Sequence, residues 1–452
     1  MRRGGMLGVV AIVASLAVLV GCDPKAEPFG ANDVYALSLA RSRGVPTEAA
    51  REDVREAITA LFGTPDHPRW PSGLLHEDAA ALVDPGRLAQ AAGPVFSDQE
   101  GRRGGLFREH CVACHGLAGS GAGPTSRFQN PYPRDFRHGR FKWKSTARGA
   151  KPTRDDLRRV LQRGIPGTPM PSFSLVTPAD RESLIDYLIY LSIRGELERE
   201  LMALAVDELG YDSPPPDDDA RISVSSLGEL TIANNELTSP NNPQTDAGNS
   251  AAAPAGEVRS EGGQAVVDLL RGIVDGWLLA PAEVIRVPSL PDPDGVAVDR
   301  GRELFHGAIA NCAGCHGPQG NGQVVTHDYD DWTKEFSTRI GLNPEDREAL
   351  RPLRDAGALP PRPIYPRRLQ SGVYRGGGDP ETLFRRITQG IDGTPMPAFE
   401  WTAEPSELGL TTDQIWDLIA YVLSLHGDSL HGGALQRESR GGQASLLPGS
   451  PW

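Results

Sequence analysis

CVACH at residues 111–115 and CAGCH at residues 312–316 use four of the five cysteines in a chain of 452 residues. Each copy sets two thiols two residues apart and a histidine directly after the second. Around both copies the same landmarks recur in the same order. The first half carries Leu106-Phe107, CVACHG, PRDFRHGRF from Pro133 and RGIPGTPMPSF from Arg163. The second carries Leu304-Phe305, CAGCHG, PRRLQSGVY from Pro366 and QGIDGTPMPAF from Gln389. A repeat of this length is a duplicated domain rather than a solenoid unit.

Two thiols at CxxC spacing can each add to one vinyl group of a haem, and the adjoining histidine is then held where its imidazole can bind iron. On that chemistry Cys111, Cys114 and His115 hold one haem, and Cys312, Cys315 and His316 hold another. Three other uses of the motif compete. A thioredoxin-like CxxC does not require the following histidine, and a zinc site wants four ligands in one place, whereas these pairs sit in separate domains. A structural disulfide stays open to an exported chain.

A second axial ligand follows from scarcity. Beyond Met1 and Met6 only Met170, Met202 and Met396 remain, and two of these occupy the same position in the repeated GTPMP. Met170 and Met396 are therefore the iron-ligand candidates, on loops stiffened by flanking prolines. The competing reading makes GTPMP a rigid turn with methionine as a core filler. Met202, in ELERELMALAVDEL, reads as an ordinary helical core residue. His138 is an alternative ligand, weakened because its repeat counterpart is Ser371. The run from Arg134 through Arg137, Arg140, Lys142, Lys144, Arg148 and Lys151 is strongly basic inside a chain of formal charge -13. It can hold haem propionates, steer an acidic partner, or form plain surface salt bridges. Trp143 within it is expected to pack. The overall acidity argues against nucleic acid as a partner.

Each half closes on an amphipathic helix. In TPADRESLIDYLIYLSIRG, Thr177 is the expected N-cap, Pro178 the first helical residue and Gly195 the stop. In TTDQIWDLIAYVLSLHG, Thr411 and Gln414 have capping-box spacing and Gly427 is the expected end. Leu184, Leu188 and Leu191 share one face, as do Ile415, Leu418, Ile419 and Val422. EAAREDVREAITALFG and GGQAVVDLLRGIVDGWLL lie outside the repeat and read as amphipathic helices that pack on a neighbouring domain. At the start, Arg2 and Arg3 precede an apolar run from Met6 to Val20 that is too short for a membrane span and reads as a secretory signal.

Leu19-Val20-Gly21-Cys22 resembles the lipobox of bacterial lipoproteins, which implies acylation of Cys22 and a lipid hold on a membrane surface. An early CxxCH, a late proline-bounded methionine and a closing amphipathic helix resemble class I c-type cytochrome domains. Two in tandem resemble a dihaem bacterial cytochrome c. The resemblance implies an all-α fold in which the first and last helices of each domain cross beside a buried haem. It also implies a proline carbonyl behind the proximal imidazole, for which Pro124 is the candidate in the first domain. The second domain departs from the first by a longer stretch, DYDDWTKEFSTRIGLNPEDREALRPLRDAGALPP.

The expected order is a lipoprotein signal peptide over 1–22, a helical N-terminal region over 24–98 and a first cytochrome c domain over 99–211. There follow a disordered low-complexity linker over 212–264, an amphipathic helix over 265–293, a second cytochrome c domain over 294–428 and a flexible tail over 429–452. Two haem c groups with His/Met ligation imply outer-sphere transfer of single electrons between a redox-protein donor and acceptor, with no small-molecule substrate. The expected setting is periplasmic, lipid-anchored to a bacterial membrane. A dihaem peroxidase or other dihaem oxidoreductase, and the fixed cytochrome subunit of a dehydrogenase complex, are the alternatives.

Overall fold

A computed structural model describes residues 28–212, 216–224, 260–291, 294–323, 328–402 and 409–438. Cys22 and the apolar run before it lie outside the described residues, as does most of the expected linker. The fold is mostly helical. Its principal helices are α1 (Asp33–Arg43), α2 (Glu48–Phe62), α3 (Pro85–Ala91), α4 (Leu106–His110), α5 (Val112–His115), α6 (Arg154–Arg163), α7 (Pro178–Asp207) and α8 (Glu261–Leu279). The second half adds α9 (Ala297–His306), α10 (Cys312–His316), α11 (Asp331–Glu335), α12 (Pro380–Gln389) and α13 (Thr412–Glu438). The only sheet among the described residues consists of two-residue strand pairs. No described helix is long and apolar enough to cross a membrane.

The helix starts follow their sequence signals. Thr177 caps α7 by accepting from the Asp180 amide at 3.1 Å, with Pro178 in the first turn. Thr411 and Gln414 complete a capping box before α13, at 2.8 and 3.2 Å. The expected stops do not hold. Helix α7 runs through Gly195 to Asp207, and α13 runs through Gly427 to Glu438, into the segment expected as a flexible tail. A glycine inside a helix costs only about 1 kcal/mol. At Gly195 it makes room, because a Cβ there would lie 2.5 Å from Cβ of Arg137. Downstream of it Leu197, Leu201, Met202 and Ala205 are buried and carry the helix onward.

One core unites the N-terminal helices, the first repeat and α8. Val54, Ile58 and Leu61 of α2, Leu88 of α3, Leu184 to Leu201 along α7, and Val266, Leu270 and Trp277 of α8 all contribute to it. The N-terminal region thus serves as packing for the first domain, whose own leading helix α4 is only five residues long. Both ends of the expected linker are held to this core. Helix α8 begins at Glu261, capped by Ser260, and Ile222 is fully buried. Asp53 of α2 accepts from the Tyr211 hydroxyl at 2.8 Å and from Arg221 Nε and Nη2 at 2.7 and 2.8 Å. Composition alone could not reveal those anchors. Asp53→Ala is expected to destabilise the first domain by about 2–3 kcal/mol, the worth of charged hydrogen bonds to a buried group. A chemical denaturation curve measures it.

A second core lies between α9, α12 and α13, built from Phe305, Phe384, Ile415, Trp416, Leu418 and Ile419. The extra stretch of the second domain forms a third cluster, Leu342, Leu350 and Leu353, against Val34 of α1. Arg199 of α7 joins Glu335 at 2.5 Å, and Tyr132 donates to the Pro360 carbonyl at 3.0 Å. The insertion therefore ties the second domain to the first.

Candidate functional site

In both repeats the second cysteine and the histidine sit on one helical turn, and the chain then turns back through three positive-φ glycines, Gly116, Gly119 and Gly121 in the first and Gly317, Gly320 and Gly322 in the second, on its way to the PR dipeptide. Gly121 and Gly322, both with φ near +70°, bring the loop against the chain after the turn; a Cβ would lie 2.7 and 2.8 Å from the carbonyls of Pro133 and Pro366. That closeness places the next carbonyl behind the histidine. His115 Nδ1 donates to the Arg134 carbonyl at 2.9 Å, and His316 Nδ1 to the Arg367 carbonyl at 3.0 Å. The partner expected at Pro124 is thus corrected to Arg134, and the second domain has the same bond through Arg367. A carbonyl can only accept, so Nδ1 carries the proton in both rings and Nε2 keeps its lone pair. Burial holds His115 well below the usual imidazole range, at about 4, and lowers His316 as well. Both rings are neutral, the form that binds metal.

The methionine loops are equally alike. Ile165 and Ile391 amides donate to the Met170 and Met396 carbonyls at 3.1 and 3.3 Å. Thr168 and Thr394 hydroxyls donate to the same isoleucine carbonyls at 2.8 and 2.9 Å, and accept from the methionine amides at 3.2 and 3.3 Å. Met170 shares a pocket with Cys111, Cys114 and His115, walled by Phe107, Leu161, Leu184 and Leu188. Met396 shares one with Cys312 and His316, walled by Phe305, Leu383, Leu418, Ile419 and Val422. Cys315 is exposed and does not line the second pocket. His138 lines neither; it lies 3.6 Å from Asp135 and 3.7 Å from Glu335, which removes it as an alternative ligand.

The competing uses of CxxC lose ground on chemistry. None of the four described cysteines is paired in a disulfide, and burial pushes Cys111 up to about 12 and Cys312 up to about 11. A dithiol that exchanges with disulfides needs the opposite shift. No cluster of three or more His, Cys, Asp or Glu residues among the described ones could hold a metal ion.

The Cytochrome c family matches residues 103–192 and 298–426, the two stretches that carry these pockets. Both are cytochrome c domains. Domains of this family carry covalently bound haem c and transfer electrons through it. No curated protein matches the chain. Among solved structures, a chain of the Kuenenia stuttgartiensis reducing HAO-like protein complex is similar at 21% identity with a TM-score of 0.41, over 71% of this chain and 94% of that one.

The residues of the cytochrome c domains fit haem beyond the motif. Arg367 and Arg375 line the second pocket, and Nε of each is buried without a hydrogen-bond partner. Burial, reinforced by Arg367, brings Arg375 down to about 10; burial does the same to Arg386 and takes Lys142 down to about 7. Buried cations short of anions suit the propionates of the cofactor. Trp143 and Arg375 belong to the walls of both pockets. Sequence reasoning gave Trp143 a packing role only, since nothing in one half of a repeat shows what the other half presses against it. The rest of the basic run is mostly paired: Arg137 with Asp135, Lys144 with Asp392, and Lys151 with Glu196.

Proposed function

We propose that the protein is a dihaem electron carrier with one haem c in each pocket. Cys111 and Cys114, and Cys312 and Cys315, would hold the two groups as thioethers, with His115 and Met170, and His316 and Met396, as axial ligands. Haem c supplies an iron that changes between ferric and ferrous by one electron. The chain's residues do the rest. Neutral imidazoles fixed by the Arg134 and Arg367 carbonyls present Nε2, apolar walls keep water out, and the methionine sulfurs close the remaining coordination positions. The observation that carries this reading is that the same internal hydrogen bonds hold both methionine loops. It leaves neither domain an evident open position for peroxide. The wall shared through Trp143 and Arg375 supports exchange of electrons between the pockets.

A spectroscopic redox titration of the purified protein tests the proposal. Two one-electron waves at relatively high potential, a methionine-to-iron charge-transfer band and no peroxide turnover are expected. High-spin ferric haem with robust peroxide turnover would select the peroxidase alternative instead, and stoichiometric copurification with a dehydrogenase would select the fixed-subunit one. Export and lipid attachment at Cys22, giving a periplasmic, membrane-tethered carrier for redox-protein partners, belong to the same proposal. They rest on Arg2, Arg3, the apolar run and the Leu-Val-Gly-Cys sequence.

A further inference from the structure

The two methionine loops differ at one position between the isoleucine and the methionine: IPGTPM from Ile165 has Pro166 where IDGTPM from Ile391 has Asp392. Proline stiffens the first loop from within, by fixing its own φ. Aspartate lacks that restraint and reaches outward instead. Its carboxylate lies 2.8 Å from Nζ of Lys144, a residue of the first domain, and the two side chains are only 10% and 6% exposed. The same carboxylate accepts from the Gly149 amide at 3.4 Å, and Arg148 Nε stands 3.8 Å away. Two more bonds run from the first domain to this loop: the Arg148 amide to Oε1 of Gln389 at 3.2 Å, and Arg148 Nη1 to the Met396 carbonyl at 3.4 Å.

Lys144 is itself pinned. Its ammonium also donates to the carbonyls of Ala147, at 2.7 Å, and Ala150, so all three of its protons have acceptors. The stretch 144–150 is in turn tied to the chain after α8, through Ala147 to the Glu283 carbonyl at 2.9 Å and Ile285 to the Ser145 carbonyl at 3.0 Å. The cross-domain ion pair thus joins the Met396 loop to a rigid part of the first domain. Breaking one partner of so buried a pair leaves an uncompensated charge, which strongly disfavours the closed arrangement. The first loop meets the second domain at Gly167, near Arg367 and Val373, but Pro166 has no charge to offer there.

We propose that Lys144 and Asp392 form an interdomain latch that keeps Met396 in place, so that the sixth position of the second pocket, unlike that of the first, is secured by contact between domains. Opening it would release the thioether and admit a small neutral ligand of the carbon monoxide class. In that exchange the bond from the methionine sulfur to iron breaks, the bond from the incoming carbon to iron forms, and no electron changes hands. Lys144 and Asp392 are positioning residues. The inference rests on Met396 being the axial ligand of the second haem.

The test is a carbon monoxide titration of the fully reduced, haem-loaded full chain, with the charge-transfer band of the oxidised protein as a second readout. Lys144→Met and Asp392→Asn should each bind one equivalent about tenfold more tightly than the parent, since the binding-competent state becomes more populated. Both should lose part of the charge-transfer band. Lys144→Met combined with Asp392→Pro, which copies the first loop, should return to the parent's weak binding. Parent-like titrations of both single variants overturn the latch, provided that Met396→Ala opens a site. If Met396→Ala itself leaves the band and the titration unchanged, the ligand assignment fails first and separately. A double variant as open as Lys144→Met also counts against the proposal, because the proline loop would then not be self-sufficient. Should Lys144→Met not accumulate, Asp392→Asn reports on the same ion pair.

Discussion

Met170→Leu is expected to lower one of the two reduction potentials by on the order of 0.2 V while leaving the other in place, and Met396→Leu to do the same to the other wave. The size is a fraction of the roughly 0.8 V that axial ligands command. Its direction follows from softness: a thioether is a weak donor that favours ferrous iron, so losing it favours ferric. Leucine keeps most of the volume of the methionine, and the loop bonds at Ile165, Thr168, Ile391 and Thr394 involve no methionine side chain. The fold of each loop should therefore survive, and the change in potential reports on ligation. Spectroelectrochemistry of each variant checks it. Two unmoved waves would remove both methionines as ligands. Movement of both waves in one variant would mean that the pockets are too strongly coupled through Trp143 and Arg375 to be treated one at a time.

What could be read from the sequence was whatever side-chain identity marks. Cys111, His115, Met170 and their counterparts declare themselves by type, spacing and repetition, and the structure gathers Cys312, His316 and Met396 round one pocket as it gathers their equivalents round the other. The imidazole partner was misread because it is a backbone carbonyl, which any residue possesses. The signal available was the PR dipeptide recurring at Pro133-Arg134 and Pro366-Arg367, each a fixed landmark in the repeat. The helix ends at Gly195 and Gly427 were misread for a related reason: glycine ends a helix only where the chain turns left-handed, and sequence does not show whether something else needs the space. Lys144 and Asp392 were each visible as charges, yet their pairing depends on how two domains meet.

Gly301→Val is expected to unfold the second domain at a markedly lower temperature, a loss of about 3 kcal/mol or more for overpacking against backbone that cannot give. The resemblance to class I cytochromes implied that a domain's first and last helices cross, but residue patterns alone could not locate the contact. Gly301 lies in the middle of α9, where glycine is worse than alanine by about 1 kcal/mol. The structure shows why it stands there: a Cβ at this position would lie 1.9 Å from the Asp417 carbonyl oxygen of α13 and 2.9 Å from Cβ of Tyr421. Around the crossing Arg300 holds Asp417 through Nε and Nη2, each at 2.7 Å, and Phe305 meets Tyr421 edge-on at 5.2 Å. A valine must push the helices apart, and with them Phe305 and Leu418, which wall the second pocket. Arg103 occupies the matching position in the first repeat, where the leading helix is short and α3 packs on α7 in its place. The damage should consequently stay in the second domain. Thermal melts followed separately at the two haems would show the lower transition moving by roughly 10 °C and the other holding still; a second domain that melts as before would mean that the helices do not meet at Gly301.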